Sequence, residues 1–487
     1  FNGEYGSSGD YGDDSLGGGD DVFYASAGDD YMNGGMGNDT VDLSTLTAGF
    51  EFYNYSSTTE TTISKSDGTD TIINIESIIG SDYDDTMMAS DDIDEVNEFS
   101  GGLGNDSLGG GAGDDKLYGE AGDDTFDDIL GKNEFDGGEG TDTVDYSRTT
   151  ESINVTIEEG ATVKRDGVAK DTLYGIENIT GGMGNDTITG DSGDNELGGG
   201  AGDDLFYHSE GIDTIDGGAG SDTIDYSKIE FPITGTSTGV TVDLSLTTQQ
   251  TVYSDTIDVI NILSNIENVK GTGFDDTITG NTSDNNIEGG DGADTITAGA
   301  GNDYIDGGSD NDTIYDGSGN DTVLGGKGAD IIIAGTGNDT YNGGTGSDTD
   351  TVSFQEFSQG VEADISSVEA QQVFSNSTDT KTFISIEKLI GSTGDDIFYS
   401  AESNYTFDGN DGMDTLDYSS FYITEGQGIY ANYTTSTQTV SSINKDISSN
   451  TVVKADSEDK VYNMEGFIGT VNNDVVITAS SGDNNQV

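Results

Sequence analysis

The chain has 487 residues, with 95 Asp and Glu against 15 Lys and Arg, a formal charge of −80. Only 31% of it is hydrophobic and 75 residues are glycine, so it is either disordered or completed by something cationic, because self-repulsion is large and little apolar surface offsets the ordering entropy. The same charge makes nucleic acid and anionic membrane surfaces poor partners.

In chain order the sequence reads as five units, each a glycine-rich array followed by an insert: 1–79, 80–180, 181–270, 271–390 and 391–487. The first holds a tract over 9–42 and an insert over 43–70. The second runs in strict nines over 101–145, after a looser tract at 80–100, and its insert covers 146–171. The third repeats this over 181–225 with an insert at 226–261. The fourth has the longest array, 271–348, which keeps register until Thr349-Asp350, then an insert at 354–381. The fifth has a short tract at 391–417, an insert at 418–459 and a further start from 469.

The period is nine, and each column has a physical meaning. Positions 1, 2 and 4 are mostly Gly, which permits the positive φ of a tight turn. Position 6 is Asp or occasionally Asn. Position 8 is apolar, as in Leu108, Leu117, Phe126, Phe135 and Val144. Positions 7–9 therefore predict a three-residue strand with one inward side chain, followed by a six-residue turn. Two such units make one coil of 18 residues, so equivalent strands stack in two parallel sheets about 4.8 Å apart.

Position-6 acids eighteen apart then share an edge: Asp186, Asp204 and Asp222 on one side, Asn195 and Asp213 on the other. Stacked carboxylates repel unless a cation lies between them, and hard oxygen donors of this kind suit Ca²⁺. The candidate ligands are Asp39, Asp106, Asp115, Asp124, Asp142, Asp186, Asp204, Asp213, Asp222, Asp276, Asp294, Asp303, Asp312, Asp321, Asp330, Asp339, Asp348, Asp396 and Asp414. Loop carbonyls join them, at Gly182, Gly184, Gly200, Gly202, Gly290, Gly292, Gly308, Gly326 and Gly328. Asn at 133, 195 and 285 lacks the charge, and Asp310 and Phe274 take position-4 glycine places, so those sites are expected to be weaker or vacant. The pattern G-G-x-G-x-D-x-U-x resembles the RTX (repeats-in-toxin) calcium β-roll. The resemblance is close in 101–145, 181–225 and 271–348. It implies an all-β parallel β-roll, bacterial secretion and calcium-triggered folding, although the family's C-terminal secretion signal is not visible. Some 25 repeats correspond to about two dozen Ca²⁺ ions, enough to neutralise roughly half the charge.

One acid departs from the pattern. A Glu recurs within short apolar runs, as Ile75-Glu76-Ser77-Ile78, Ile176-Glu177-Asn178-Ile179, Ile266-Glu267-Asn268-Val269, Ile386-Glu387-Lys388-Leu389 and Met464-Glu465-Gly466-Phe467. In the nine-residue frame it takes position 6, with apolar residues at positions 2 (Ile72, Leu173, Leu263, Phe383, Val461), 5 and 8, and it marks the restart of the roll after each insert. The added apolar residues are expected to cover an exposed end of the core. The Glu is either a longer-armed calcium ligand or a cap that accepts turn amides, with the ligand reading slightly ahead.

The inserts begin alike, as Val144-Asp145-Tyr146-Ser147 and Leu416-Asp417-Tyr418-Ser419, then alternate as short strands or hairpins that extend the sheets or pack beside them. Phe421, Tyr422, Tyr430 and Tyr433 form a possible sugar-binding or subunit platform, against which strand packing is the stronger reading.

Catalytic chemistry is not legible. No cysteine and one histidine, His208 in a surface turn, exclude a disulfide framework, a thiolate zinc site and a triad. No apolar run approaches membrane-spanning length, so no membrane insertion is expected. The chain opens without a signal peptide and closes in what reads as a repeat cut short, as if it were a mature or partial product. The function expected is a secreted calcium-dependent structural or surface protein (S-layer, filament or adhesin segment) and not an enzyme, with self-association and cell-surface polysaccharide as candidate partners. The alternative is the calcium-folding C-terminal portion of a larger secreted enzyme or toxin.

Overall fold

The computed structural model describes residues 19–25, 28–56, 58–66, 68–91, 95–127, 130–229, 239–254, 258–374, 378–400, 404–419, 430–432, 438–440, 445–447, 451–453, 458–464, 466–468 and 475–477. Phe421, Tyr422, Tyr433 and Glu465 lie outside these residues, and only the backbone of Tyr430 is described. The described residues contain strands and turns and no helix. The chain divides into two compact units, Phe1–Asp225 with Leu246–Ile266, and Tyr226–Ser245 with Glu267–Val487.

In the first unit the strands Ser107–Gly109, Thr125–Phe126 and Thr143–Asp145 pair in parallel and in register, Leu108 opposite Phe126 and Phe126 opposite Val144. A second sheet takes the alternate repeats, so that Phe99, Leu117 and Phe135 stack in the same way. The second unit repeats this. Ile278, Ile296, Ile314 and Ile332 form one ladder; Ile287, Ile305, Val323 and Tyr341 form the other. Every one of these side chains is 0% exposed. The pairing partners are 18 residues apart, so the fold is an all-β parallel roll with a core one residue deep from each sheet. β-Branched and aromatic side chains suit such a position, because they pack against the copies above and below them.

The inserts enter the roll. The first, second and fourth are antiparallel meanders whose last strand adds to the array before and whose first strand adds to the array after. Val168–Tyr174 pairs in parallel with Glu134–Glu139, whereas Ile153–Thr156 pairs in parallel with Thr187–Thr189; Ala161–Arg165 joins the two. The first insert does the same through Gly68–Ile73 with Tyr31–Asn33 and Glu51–Tyr55 with Thr86–Ala89. So does the fourth, through Thr380–Ile384 with Asp339–Gly344 and Glu362–Asp364 with Ile397–Tyr399.

This corrects the reading of the restart. Ile72, Leu173, Leu263, Phe383 and Val461 do not cover an end of the core. They continue it, opposite Met32, Phe135, Ile215, Tyr341 and Phe407 of the preceding arrays. The run 172–180 is therefore two inward positions, Leu173 and Ile179, joined by a shortened corner. The corner turns on one left-handed residue, which is Asn74 (φ 51°), Gly175 (φ 55°), Asn265 (φ 50°), Ser385 (φ 51°) or Asn463 (φ 47°) in the five copies. Asn tolerates that region best of the non-glycine residues, which explains its presence in three of the five.

Candidate metal centre

Position-6 acids line the roll in columns, buried at the point where each turn enters its strand. Asp186 N–H donates to Asp204 Oδ1 at 2.7 Å, and Asp204 N–H to Asp222 Oδ1 at 2.8 Å. On the other edge Asn195 N–H donates to Asp213 Oδ1 at 3.1 Å. Elsewhere Asp106, Asp124 and Asp142 continue one column, and Asp115 accepts from Asn97 and donates to Asn133 in the other. In the second unit Asp276, Asp294, Asp312 and Asp330 form one ladder, and Asp303, Asp321 and Asp339 the other. Asp39 accepts the Asp21 amide and Asp414 the Asp396 amide. In every case one carboxylate oxygen reaches back to the amide of the turn before.

A second ladder, which the sequence reading missed, runs along position 5 in the opposite sense. The Asn185 side chain accepts the amide of Asp203, whose own side chain accepts that of Ser221. Asp284, Asn302 and Asn320 do the same in the second unit, ending at the amide of Asn338. The near-constant Asn or Asp at position 5 was the available signal.

The other oxygen of the position-6 Asp defines the site. The Oδ2 atoms of Asp39, Asp106, Asp124, Asp142, Asp204, Asp294, Asp303, Asp312 and Asp330 are buried and accept no hydrogen bond. The reason lies in the position-1 glycine. At Gly307 a Cβ would fall 2.5 Å from Asp312 Oδ2 and 2.7 Å from the Gly325 carbonyl of the following turn. Gly289 and Gly119 sit likewise beside Asp294 and Asp124. Position 1 is therefore glycine for space and not for φ, which corrects the sequence reading there. Positive φ is confined to positions 2 and 4: Gly200, Gly202, Gly290, Gly292, Gly308, Gly326 and Gly328 all have it. Asp310, at position 4, is held at φ 81°, a conformation that an L side chain adopts under strain.

Two oxygens from successive turns thus converge on one small space with no donor between them. Burial raises the affected carboxyls, and neighbouring acids add to it. Asp106 and Asp294 are pushed up to about 8, Asp142, Asp312 and Asp321 to about 7, and Asp124 and Asp204 to about 6. Carboxylate and carbonyl oxygens without donors suit a hard divalent cation such as Ca²⁺, which takes about six to eight oxygens. Bound there, the ion would supply the charge that lets these acids ionise while buried.

Several candidates stand apart from this arrangement. Asp348 is exposed, and Asp350 takes the column place, accepting Asp330 N–H at 3.0 Å; a two-residue insertion shifts the register so that Thr351 faces Ile331. At the first loop of the arrays starting at 181, 271 and 391 Oδ2 is already satisfied. Asp186 accepts from Gly182 N–H at 2.7 Å, Asp276 from Thr272 N–H at 2.6 Å and Asp396 from Ser392 N–H at 2.9 Å. Gly182 and Gly184 lack the positive φ of their counterparts, so the position-2 amide turns inward to the carboxylate. Asp213 is met in the same way by the Ser209 hydroxyl at 2.9 Å. The Asn side chains bond back to the turn before, Asn195 Nδ2 donating to Glu177 O at 2.8 Å and Asn285 Nδ2 to Glu267 O at 2.7 Å. His208 is half-buried rather than on the surface, and burial lowers its imidazole to about 4.

Glu76, Glu177 and Glu387 each accept the amide of the last Asp in the array before them, Asp39 at 2.9 Å, Asp142 at 2.8 Å and Asp350 at 3.0 Å. The longer arm spans the shortened corner. None of the three carries a buried oxygen without a donor among the described residues. For Glu177→Gln we expect the number of bound Ca²⁺ to be unchanged and stability to fall by about 1 kcal/mol, because an amide oxygen still accepts but without charge. Equilibrium dialysis and urea titration in calcium check this; loss of one ion per chain would return Glu177 to the ligand set.

A two-sheet parallel roll with glycine loops and buried acid columns defines the class as a calcium-type β-roll. A family model for four copies of the RTX calcium-binding nonapeptide repeat matches residues 8–41, 100–127, 171–206, 209–227, 270–305, 279–314 and 315–350. Over these residues the chain carries RTX calcium-binding nonapeptide repeats. No curated protein matches it.

Proposed function

We propose that this is a secreted, calcium-folded structural protein of a bacterial surface, of the S-layer, filament or adhesin kind. The observation that carries the reading is that both units are built from the same roll, with insert strands added to the arrays, so the described chain is spent on one repeating architecture. Repeat rolls of this kind leave unpaired strand edges at the ends of a stack, which suit assembly with further copies. Self-association is the first partner inferred, and surface polysaccharide the second. Secretion fits the family and the composition. A chain held unfolded where calcium is scarce stays exportable and folds on meeting millimolar calcium outside, since the ion binds only the folded state. No helix among the described residues is long and apolar enough to cross a membrane.

Negative-stain electron microscopy of the purified chain tests assembly. Ordered filaments or sheets in millimolar calcium that disperse in EDTA are expected. Monodisperse single particles in calcium at high protein concentration would refute the assembly reading.

A further inference from the structure

Among the described residues three basic side chains are placed inside the roll. The side chains of Lys65, Arg165 and Lys381 are 1%, 2% and 0% exposed. A buried cation is costly unless it is paired and hydrogen-bonded. All three are paired and hydrogen-bonded, although Arg165 Nε itself meets no hydrogen-bond acceptor among the described residues, and all three lie where an insert meets the last turn of an array.

Lys381 gives the clearest geometry. Its Nζ donates to the carbonyls of Gly335 at 2.7 Å and Gly337 at 3.2 Å, and pairs with the Asp339 carboxylate. These oxygens are positions 2, 4 and 6 of a single loop, the positions whose oxygens the sequence offers to calcium. Arg165 donates to the Gly131 carbonyl, position 4 of its loop, at 2.7 Å and pairs with Asp171 at 3.4 Å. Lys65 pairs with Asp70 at 2.7 Å and lies 4.0 Å from Asp30, the position-6 acids of two successive turns.

The three charges reach this place from different backbone positions. Lys65 and Arg165 sit at the tip of an insert hairpin, opposite Gly68 and Val168. Lys381 stands in the acid column itself, opposite Asp339, at the place that Asp70 and Asp171 hold in the other two units. A shared sequence motif therefore does not account for the coincidence. What the three have in common is a positive charge delivered to the terminal loop.

We propose that Lys65, Arg165 and Lys381 are tethered cations: each takes the place of a calcium ion in the last loop of an array, so that the loop closes without metal and the calcium column ends there. The inference rests on the columns being calcium sites. For the array 271–348 it gives two metal-free ends, since the first loop there closes through its own position-2 amide. The insert, whose last strand carries or adjoins the cation, is then the element that terminates one stack and begins the next.

The test is a structure of the full chain grown in saturating calcium, with the anomalous signal of calcium used to locate the ions. Peaks are expected beside the Asp294 and Asp312 carboxylates and none within bonding distance of the Gly335 and Gly337 carbonyls, Asp70 or Asp171. An ion bound to any of those groups overturns the proposal. A map without ions in either column overturns the calcium reading of the columns and the proposal with it. Equilibrium dialysis of the variant Lys65→Gln, Arg165→Gln, Lys381→Asp gives a second measure. It should bind three more ions per chain than the parent, and a folded variant that binds the same number counts against the idea. Should that variant not fold, the parent map alone decides.

Discussion

In EDTA at pH 8 the chain is expected to lose its β-sheet circular dichroism, and stepwise addition of calcium to restore it cooperatively. The buried Oδ2 atoms of Asp106, Asp124, Asp142, Asp204, Asp294, Asp303, Asp312 and Asp330 accept no hydrogen bond. Leaving one buried polar atom unmet costs about 1–3 kcal/mol, and more when the group is charged. Eight of them cost about 8–24 kcal/mol, as much as or more than the roughly 5–15 kcal/mol by which a domain is ordinarily stable. The core cannot make up the difference, because each repeat contributes one inward apolar residue. Binding does: at a free ion concentration 100 times its Kd, each site adds about 2.7 kcal/mol. Because each ion joins two turns, loss of one weakens its neighbours, so the titration should be steeper than independent sites allow. Full β signal in EDTA at pH 8 would refute the account. Magnesium makes the control. The ion prefers a rigid shell at about 2.0–2.1 Å and gives up its water reluctantly, so it should restore little of the signal at equal concentration.

The roll was legible because its signal is repeated. A position-8 side chain such as Ile296 must meet Ile278 and Ile314 if the chain coils every 18 residues, and the pairing is that. The edge columns follow from the same count. What was not legible depends on single residues. Asp348 holds position 6 by strict counting, and only the strand register shows that two extra residues hand the place to Asp350. Gly182 looks like Gly200 in sequence, yet the two differ in φ, because Gly182 follows a shortened corner and Gly200 follows a full turn. Lys381 is one basic residue within a polar insert. Its meaning appears once Thr380–Ile384 is seen to lie on Asp339–Gly344, 42 residues earlier in the chain. The exchange of insert strands between arrays is likewise a long-range pairing with no local pattern to announce it.

Acid should replace calcium. In the folded chain burial raises Asp124 and Asp204 to about 6, Asp142, Asp312 and Asp321 to about 7, and Asp106 and Asp294 to about 8, while in the unfolded chain each returns to about 3.9. The folded state therefore binds more protons than the unfolded state between those values, and stability falls as pH rises. The proton-linked contribution is complete below about pH 4 and is lost in steps as pH rises through 6 to 8. A chain unfolded in EDTA at pH 8.5 should thus regain β signal on acidification to about pH 5, with most of the change between pH 8 and 6. Calcium should show the opposite dependence. The ion needs the carboxylates ionised, so protons compete with it, and the calcium concentration at the folding midpoint should rise as pH falls from 8 to 6. Circular dichroism against pH in EDTA, paired with calcium titrations at pH 6, 7 and 8, reads both trends. A chain equally unfolded in EDTA at pH 5 and pH 8.5 would show that neutralising the column acids is not what folding requires. Protons neutralise single carboxyls and cannot bridge successive turns. The acid form should therefore melt at a lower temperature than the calcium form, and over a broader range.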